Sequence, residues 1–113
     1  MSANKDQIRL RHMLDAARQA QAFAEGKQRD DLDDDILLVY GIVKAVEIVG
    51  EAASRISKEY QAVQAQIPWS GIIAMRNILI HDYASIDLDE VWKTLQNDLP
   101  ALIAELEPLI QEQ

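Results

Sequence analysis

The sequence predicts an all-α protein, an up-and-down bundle of four main helices plus a short one. Three observations lead there. Apolar residues recur at helical spacing in several long stretches, and no stretch alternates apolar and polar residues as a half-buried strand would. Helix breakers are few, four Gly and three Pro in 113 residues, and most stand where one periodic stretch gives way to the next. Hydrophobic residues make up 49% of the chain, which excludes disorder.

The first helix is expected over residues 4–25. Ile8, Met13 or Leu14, Ala17, Ala20 or Gln21, and Phe23 or Ala24 recur near helical spacing, and Gly26 supplies a C-terminal stop. Arg9, Arg11 and Arg18 face outward or line a groove, and His12 reads as an exposed or half-buried residue.

Residues 27–35 form a linker with five aspartates before an apolar run. Carboxylates there cap free N–H groups and oppose the positive end of the helix dipole. A calcium loop would need a central glycine and a terminal glutamate, which this spacing lacks.

A long second helix is expected over residues 33–60, with Ile36, Leu37, Val39, Tyr40, Val43, Val46 and Ile48 on a wide stripe. Gly41 and Gly50 inside it point to a close helix–helix or subunit contact, since each costs up to about 1 kcal/mol relative to Ala. Glu51 has two readings: one rung of an i,i+4 ladder with Glu47 and Arg55, or a carboxylate turned inward to hold Arg76 or His81.

After a polar connector over residues 61–67, Pro68-Trp69-Ser70 announces a motif helix, capped by Ser70 and running to about Asp82. Its apolar residues surround the axis, so burial on all sides is expected. Asp87, with Glu90 three residues on, caps the next helix over residues 88–97. Asp98-Leu99-Pro100 opens the last helix. Leu102, Ile103, Leu106, Leu109 and Ile110 close the core, and Pro108 ends or kinks that helix.

At this size one domain over residues 1–113 is expected. The absence of cysteine removes disulfides, thiolate metal sites and a cysteine nucleophile, and fits a reducing cytoplasm. The start, Met-Ser-Ala-Asn-Lys-Asp, is unlike a secretory leader, and the longest apolar run, Ile36 to Val43, is too short to span a membrane. A net charge of −8 argues against a broad, sequence-independent grip on DNA or RNA. Any nucleic acid must be held at a locally basic cleft, while the acidic remainder could dock on a basic partner.

The chemistry concentrates in Arg76-Asn77-Ile78-Leu79-Ile80-His81-Asp82-Tyr83. Charged and polar groups on an apolar helix either meet a cleft or pair with internal carboxylates. On a continuous helix His81 lies about 140° from Arg76 but about 40° from Asn77, Tyr83 lies about 20° from Arg76, and Arg76 is long enough to curl toward the histidine. A permanent cation beside an imidazole suits phosphate chemistry.

This segment resembles the R-x4-H-x-Y signature of the HEPN superfamily in its HepT-like branch. Gly50-Glu51-Ala52-Ala53, Ile67-Pro68-Trp69, Asp87-Leu88-Asp89-Glu90-Val91-Trp92 and Asp98-Leu99-Pro100 resemble other segments of that branch, so the likeness spans roughly residues 6–110. The resemblance implies a ribonuclease toxin of a type VII-like pair, with an MntA-like nucleotidyltransferase antitoxin as partner. It implies an RNA substrate, a homodimer whose motif helices meet across the axis, and no metal or cofactor. His81 and Arg76 would be catalytic, with Asn77 and Glu51 in support. Tyr83 would be the acceptor of AMP units from the partner; on residue type alone it reads as an amphipathic loop residue. The alternative is a non-catalytic binding subunit of a two-component nucleotidyltransferase.

Overall fold

A computed structural model describes the backbone of residues 2–78, 80–82 and 85–111, and the side chains of residues 4–75 and 86–111. The fold is all-α. Helix α1 (Ser2–Phe23) leads to a turn at Gly26. The glycine has a φ of 77°, a left-handed geometry that it adopts without steric cost. A single helical turn, α2 (Asp31–Asp34), precedes α3 (Ile36–Ser54). A short α4 (Lys58–Val63) and then α5 (Trp69–Ile78) follow. Ile80–Asp82 and Ser85–Ile86 form a small antiparallel pair, with Ile80 opposite Ile86. The chain closes with α6 (Leu88–Lys93), a π-helical stretch (Thr94–Asp98), α7 (Leu99–Leu106) and a 3₁₀ turn (Glu107–Leu109).

The core is the seam between α1 and α3, closed by α5 and the C-terminal helix. Leu10, Met13, Leu14, Ala17 and Ala20 of α1 face Val39, Ile42, Val43, Val46, Val49 and Ala53 of α3. The two helices run antiparallel. Phe23 touches Gly41 at one end of the seam, and Asp6 bonds Ser57 just beyond its other end. Burying side chains of this size stabilises by about 1.5–3 kcal/mol each, which outweighs any helix propensity.

The spacing of α1 holds with one substitution of roles. Leu10 is fully buried while Ile8 is half exposed. Residues two apart point in nearly opposite directions from a helix axis, about 160° from one another. Leu32, inside the acidic linker, is also buried and anchors it to the core.

The expected caps hold at two places. Asp35 accepts the Leu38 N–H at 3.1 Å, and Asp87 accepts the Glu90 N–H at 3.1 Å, each satisfying a donor that the first turn leaves free. Arg29 ties the linker down by donating to Asp33 and Asp89. The bond to Asp89 is the main reason its guanidinium holds its proton even more firmly than usual.

Several expectations are corrected. The second helix does not run to residue 60. It stops at Ser54, because Ser57 leaves helical geometry to cap α4 by accepting the Tyr60 N–H. Ser70 is not the cap of the motif helix. That helix begins at Trp69, and the Pro68 carbonyl accepts the Ile72 N–H at 3.0 Å. It ends at Ile78 rather than near Asp82. The β-branched Ile80 and Ile86 suit the extended pair that follows. Nor is α5 buried on all sides, since Gly71 and Ala74 are exposed while Ile72 and Met75 are buried.

The two expected C-terminal helices are one rod. Pro100 has no N–H, and its ring would press on the carbonyl four residues earlier. The helix widens instead. The Leu99 N–H bonds the Thr94 carbonyl, five residues back, so the rod passes the proline without breaking. Pro108 lies in the 3₁₀ turn that ends the rod, as expected.

Candidate functional site

Of the residues singled out in the sequence, Glu51 is the one whose side chain is described. Those of Arg76, Asn77 and His81 lie outside the described residues, and Tyr83 lies wholly outside them. The backbone places Arg76 and Asn77 in the last turn of α5 and His81 in the middle of the strand that follows. The angular relations expected for a continuous helix therefore do not carry over. Past the helix the extended chain rises at about 3.3 Å per residue, more than twice the helical rise.

Glu51 lies in the last turns of α3. Its Oε2 accepts a hydrogen bond from Arg55 Nε at 2.9 Å, which is the i,i+4 rung the sequence allowed. Both side chains are about half exposed, so this rung adds only a few tenths of a kcal/mol.

Glu51 also lines a groove of about 350 Å³ between α1 and α3. Arg9 and His12 come from α1; Lys44, Glu47 and Ile48 come from α3, and Arg55 is the residue just past its end. The local reason is register. Arg9 and His12 are three apart, and Lys44, Glu47, Glu51 and Arg55 follow at three- and four-residue steps, so each set shares one helix face. The antiparallel seam then brings those two faces together. On the far side of His12 a second hollow of about 520 Å³ continues along α1, lined by Gln7, Ile8, Arg11 and Gln111 among others. Gln7 holds the chain end there, donating to the Leu109 carbonyl at 3.0 Å and accepting the Gln111 N–H at 2.9 Å.

Residue-by-residue reading missed this convergence of Arg9, His12 and Lys44 on the Glu51 face. The signal was present as same-face spacing on two helices, but the seam that pairs them is tertiary. Chemically the groove offers cations, an imidazole and carboxylates beside an apolar strip, a set suited to binding a phosphate-bearing ligand. Among the described residues no group of three His, Asp or Glu side chains is placed to hold a metal ion. No helix among them is long and apolar enough to cross a membrane.

An all-α fold with R-x4-H at the end of its third long helix defines a class, and the comparison with known proteins identifies it. The family model described as Ribonuclease HepT-like matches residues 13–109, and the chain belongs to that family. A Methanocaldococcus jannaschii protein named "Putative RNase MJ1380" is 30% identical over 98 residues, 87% of this chain and 90% of the relative. "Probable ribonuclease HepT" of Thermococcus cleftensis is 36% identical over 70 residues, 62% of this chain and 64% of the relative. The M. jannaschii "Gamma-glutamylcyclotransferase and putative RNase MJ0434" is 30% identical over 105 residues, and this chain spans 47% of its length. No solved structure gives a significant match.

Proposed function

We propose that the protein is a metal-independent endoribonuclease whose cleavage centre is built on Arg76 and His81. The observation that carries this reading is the R-x4-H-x-Y run of residues 76–83, inside the stretch matched to the HepT-like ribonuclease family. The ribose 2′-oxygen attacks the adjacent phosphorus, and the bond from phosphorus to the 5′-oxygen breaks. The products are a 2′,3′-cyclic phosphate end and a 5′-hydroxyl end. His81 serves the proton transfer, taking the 2′-hydroxyl proton or supplying one to the leaving oxygen. Arg76 holds the scissile phosphate and offsets the charge that builds on it. Asn77 and Glu51 orient those two groups.

A homodimer completes the centre, with two Arg76 side chains concentrating positive potential in an acidic protein. An apolar patch supports a second copy. Phe23, Ile36, Leu37 and Tyr40 are 47%, 58%, 81% and 58% exposed and cluster at the start of α3. Such a cluster on one face favours self-association with two-fold symmetry.

The activity is that of a toxin, silenced when a partner nucleotidyltransferase attaches AMP to Tyr83. Phosphates beside Arg76 would occupy the cation that RNA needs.

The test is incubation of the purified protein with RNA in EDTA. Arg76→Ala and His81→Ala should each abolish cleavage while the fold persists. Cleavage unchanged in both variants removes the reading and points to a contaminating nuclease. Intact-mass measurement after co-expression with the nucleotidyltransferase should show steps of one AMP, absent from Tyr83→Phe. Steps that survive the substitution remove the acceptor assignment.

A further inference from the structure

The Glu51 groove, the cleft between α5 and the C-terminal rod, and the hollow beside Gly41 all have carboxylates on their walls. These are Glu47 and Glu51 in the first, Asp98 and Glu105 in the second, and Asp35 in the third. The hollow of about 520 Å³ along α1 has none among the described residues. That runs against the balance of a chain with 19 acidic and 11 basic residues. Its charged wall is Arg11, which is exposed and makes no ion pair among the described residues. Asp15, the next acidic residue along that face, stands one turn past Arg11 and outside the hollow.

Helical register builds the first wall. At about 100° per residue, Gln7, Arg11, Asn4, Ile8 and His12 fall in that order across about 140° of α1. Arg9 is about 160° from Arg11 and faces the Glu51 groove, so the two cavities are separate and share only the edge at His12. The second wall is the chain end, Ile110 and Gln111. Gln7 fixes the spacing between the walls by donating to the Leu109 carbonyl at 3.0 Å and accepting the Gln111 N–H at 2.9 Å. The cavity is therefore formed before any ligand arrives, and its volume falls within the range of about 300–1,000 Å³ common for small-molecule sites. Ile8, 52% exposed, and the half-buried Ile110 give it apolar surface.

A guanidinium takes a phosphate through two parallel hydrogen bonds. The isoleucines offer apolar contact to a flat heterocycle, and the carboxamides of Asn4 and Gln111 can both donate and accept, as the edge of a nucleobase requires. An inorganic anion would use only the first of these features, and a hydrocarbon only the second.

We propose that the hollow between α1 and the chain end binds a free nucleoside monophosphate, with its phosphate on Arg11 and its base against Ile8 and Ile110. The site goes beyond the ribonuclease reading, since neither Arg76 nor His81 belongs to the elements that build it. A nucleotide held there bridges α1 and the last residues of the chain, so occupancy raises the thermal midpoint.

The test is calorimetric titration of the full chain with 5′-AMP, and with adenosine and inorganic phosphate as its two halves. The parent should bind 5′-AMP at least about tenfold more tightly than either half. Arg11→Gln should weaken 5′-AMP binding by about tenfold, the loss of one charge-assisted contact. Ile8→Asn should also weaken it, and Lys58→Gln, on α4, should leave it unchanged. Arg11 and Ile8 are exposed, and a thermal scan without ligand checks that both variants stay folded. Arg76→Ala should bind 5′-AMP as the parent does.

Binding lost in Arg76→Ala but kept in Arg11→Gln would place the nucleotide at the cleavage centre, overturning the hollow and leaving the ribonuclease reading standing. No binding by the parent, or equal affinity for phosphate and 5′-AMP, would overturn the nucleotide site. Tighter binding of a 5′-phosphorylated tetranucleotide than of 5′-AMP would overturn the free mononucleotide as occupant and reassign the hollow to an RNA end.

Discussion

Asp6, only 4% exposed, accepts two hydrogen bonds from Ser57, from its N–H at 2.8 Å and its hydroxyl at 2.7 Å. The same hydroxyl oxygen accepts the Tyr60 N–H at 3.2 Å and starts α4. One buried carboxylate in the first helix thus decides where the long helix α3 ends and the next element begins. Asp6→Ala should cost about 1–3 kcal/mol, the range for losing charge-assisted bonds and leaving their donors unmatched. Asp15→Ala, exposed on the same helix, should cost nearly nothing. Equal thermal midpoints for the two variants would show that the Asp6 bonds add no stability.

Tyr60 sits beside this pair. Burial first, and the negative charge of Asp6 second, push its phenol above the ordinary range, against an opposing hydrogen bond with Gln64. A group whose pKa is raised on folding keeps its contribution at pH below the unfolded value, about 10, and loses it as pH climbs through the folded value. Stability should therefore fall in the alkaline range above about pH 10. Tyr60→Phe should flatten that fall relative to the parent. Superimposable alkaline profiles of the two proteins would contradict this.

Gly41 faces Phe23, and a Cβ at that position would come 3.3 Å from the ring edge. The ring is half exposed and free to yield by a few tenths of an ångström. The helix-propensity gain of about 0.5–1 kcal/mol should therefore win, and Gly41→Ala should raise the thermal midpoint. Gly41→Leu, whose bulk the ring cannot clear by so small a shift, should lower it. A midpoint that falls in both variants would mean that the Phe23 contact is rigid.

Leu37 is largely exposed, so Leu37→Glu should leave the fold and its unfolding midpoint intact. On the proposed dimer it should shift sedimentation from dimer to monomer and lower RNA cleavage with it. Retention of the dimer in both Leu37→Glu and Tyr40→Glu would move the contact to another face.

Much of the fold was legible in order along the chain. The core positions of α1 and α3, the stop at Gly26, and the caps at Asp35 and Asp87 follow from local rules acting over three or four residues. The misplaced boundaries share one cause. Ser57 ends the long helix because of Asp6, 51 residues away, and the π turn forms because the C-terminal rod keeps packing through Pro100. The exposed Ile8, Leu37 and Tyr40 looked like core because periodicity reports an apolar face without saying whether anything covers it.

The sequence by itself determined the helical class, the family and the identity of Arg76 and His81 as the residues to test, since spacing and residue chemistry are properties of the chain. Only the tertiary structure decided that Arg9 and His12 gather beside Lys44 and Glu51. Those two groups lie on separate helices, and the antiparallel seam that joins them is fixed by burying Leu10, Met13 and Ala17 against Val46 and Val49. The burial energy of that seam, not any local preference, puts Arg9 and His12 on one groove with Lys44 and Glu51.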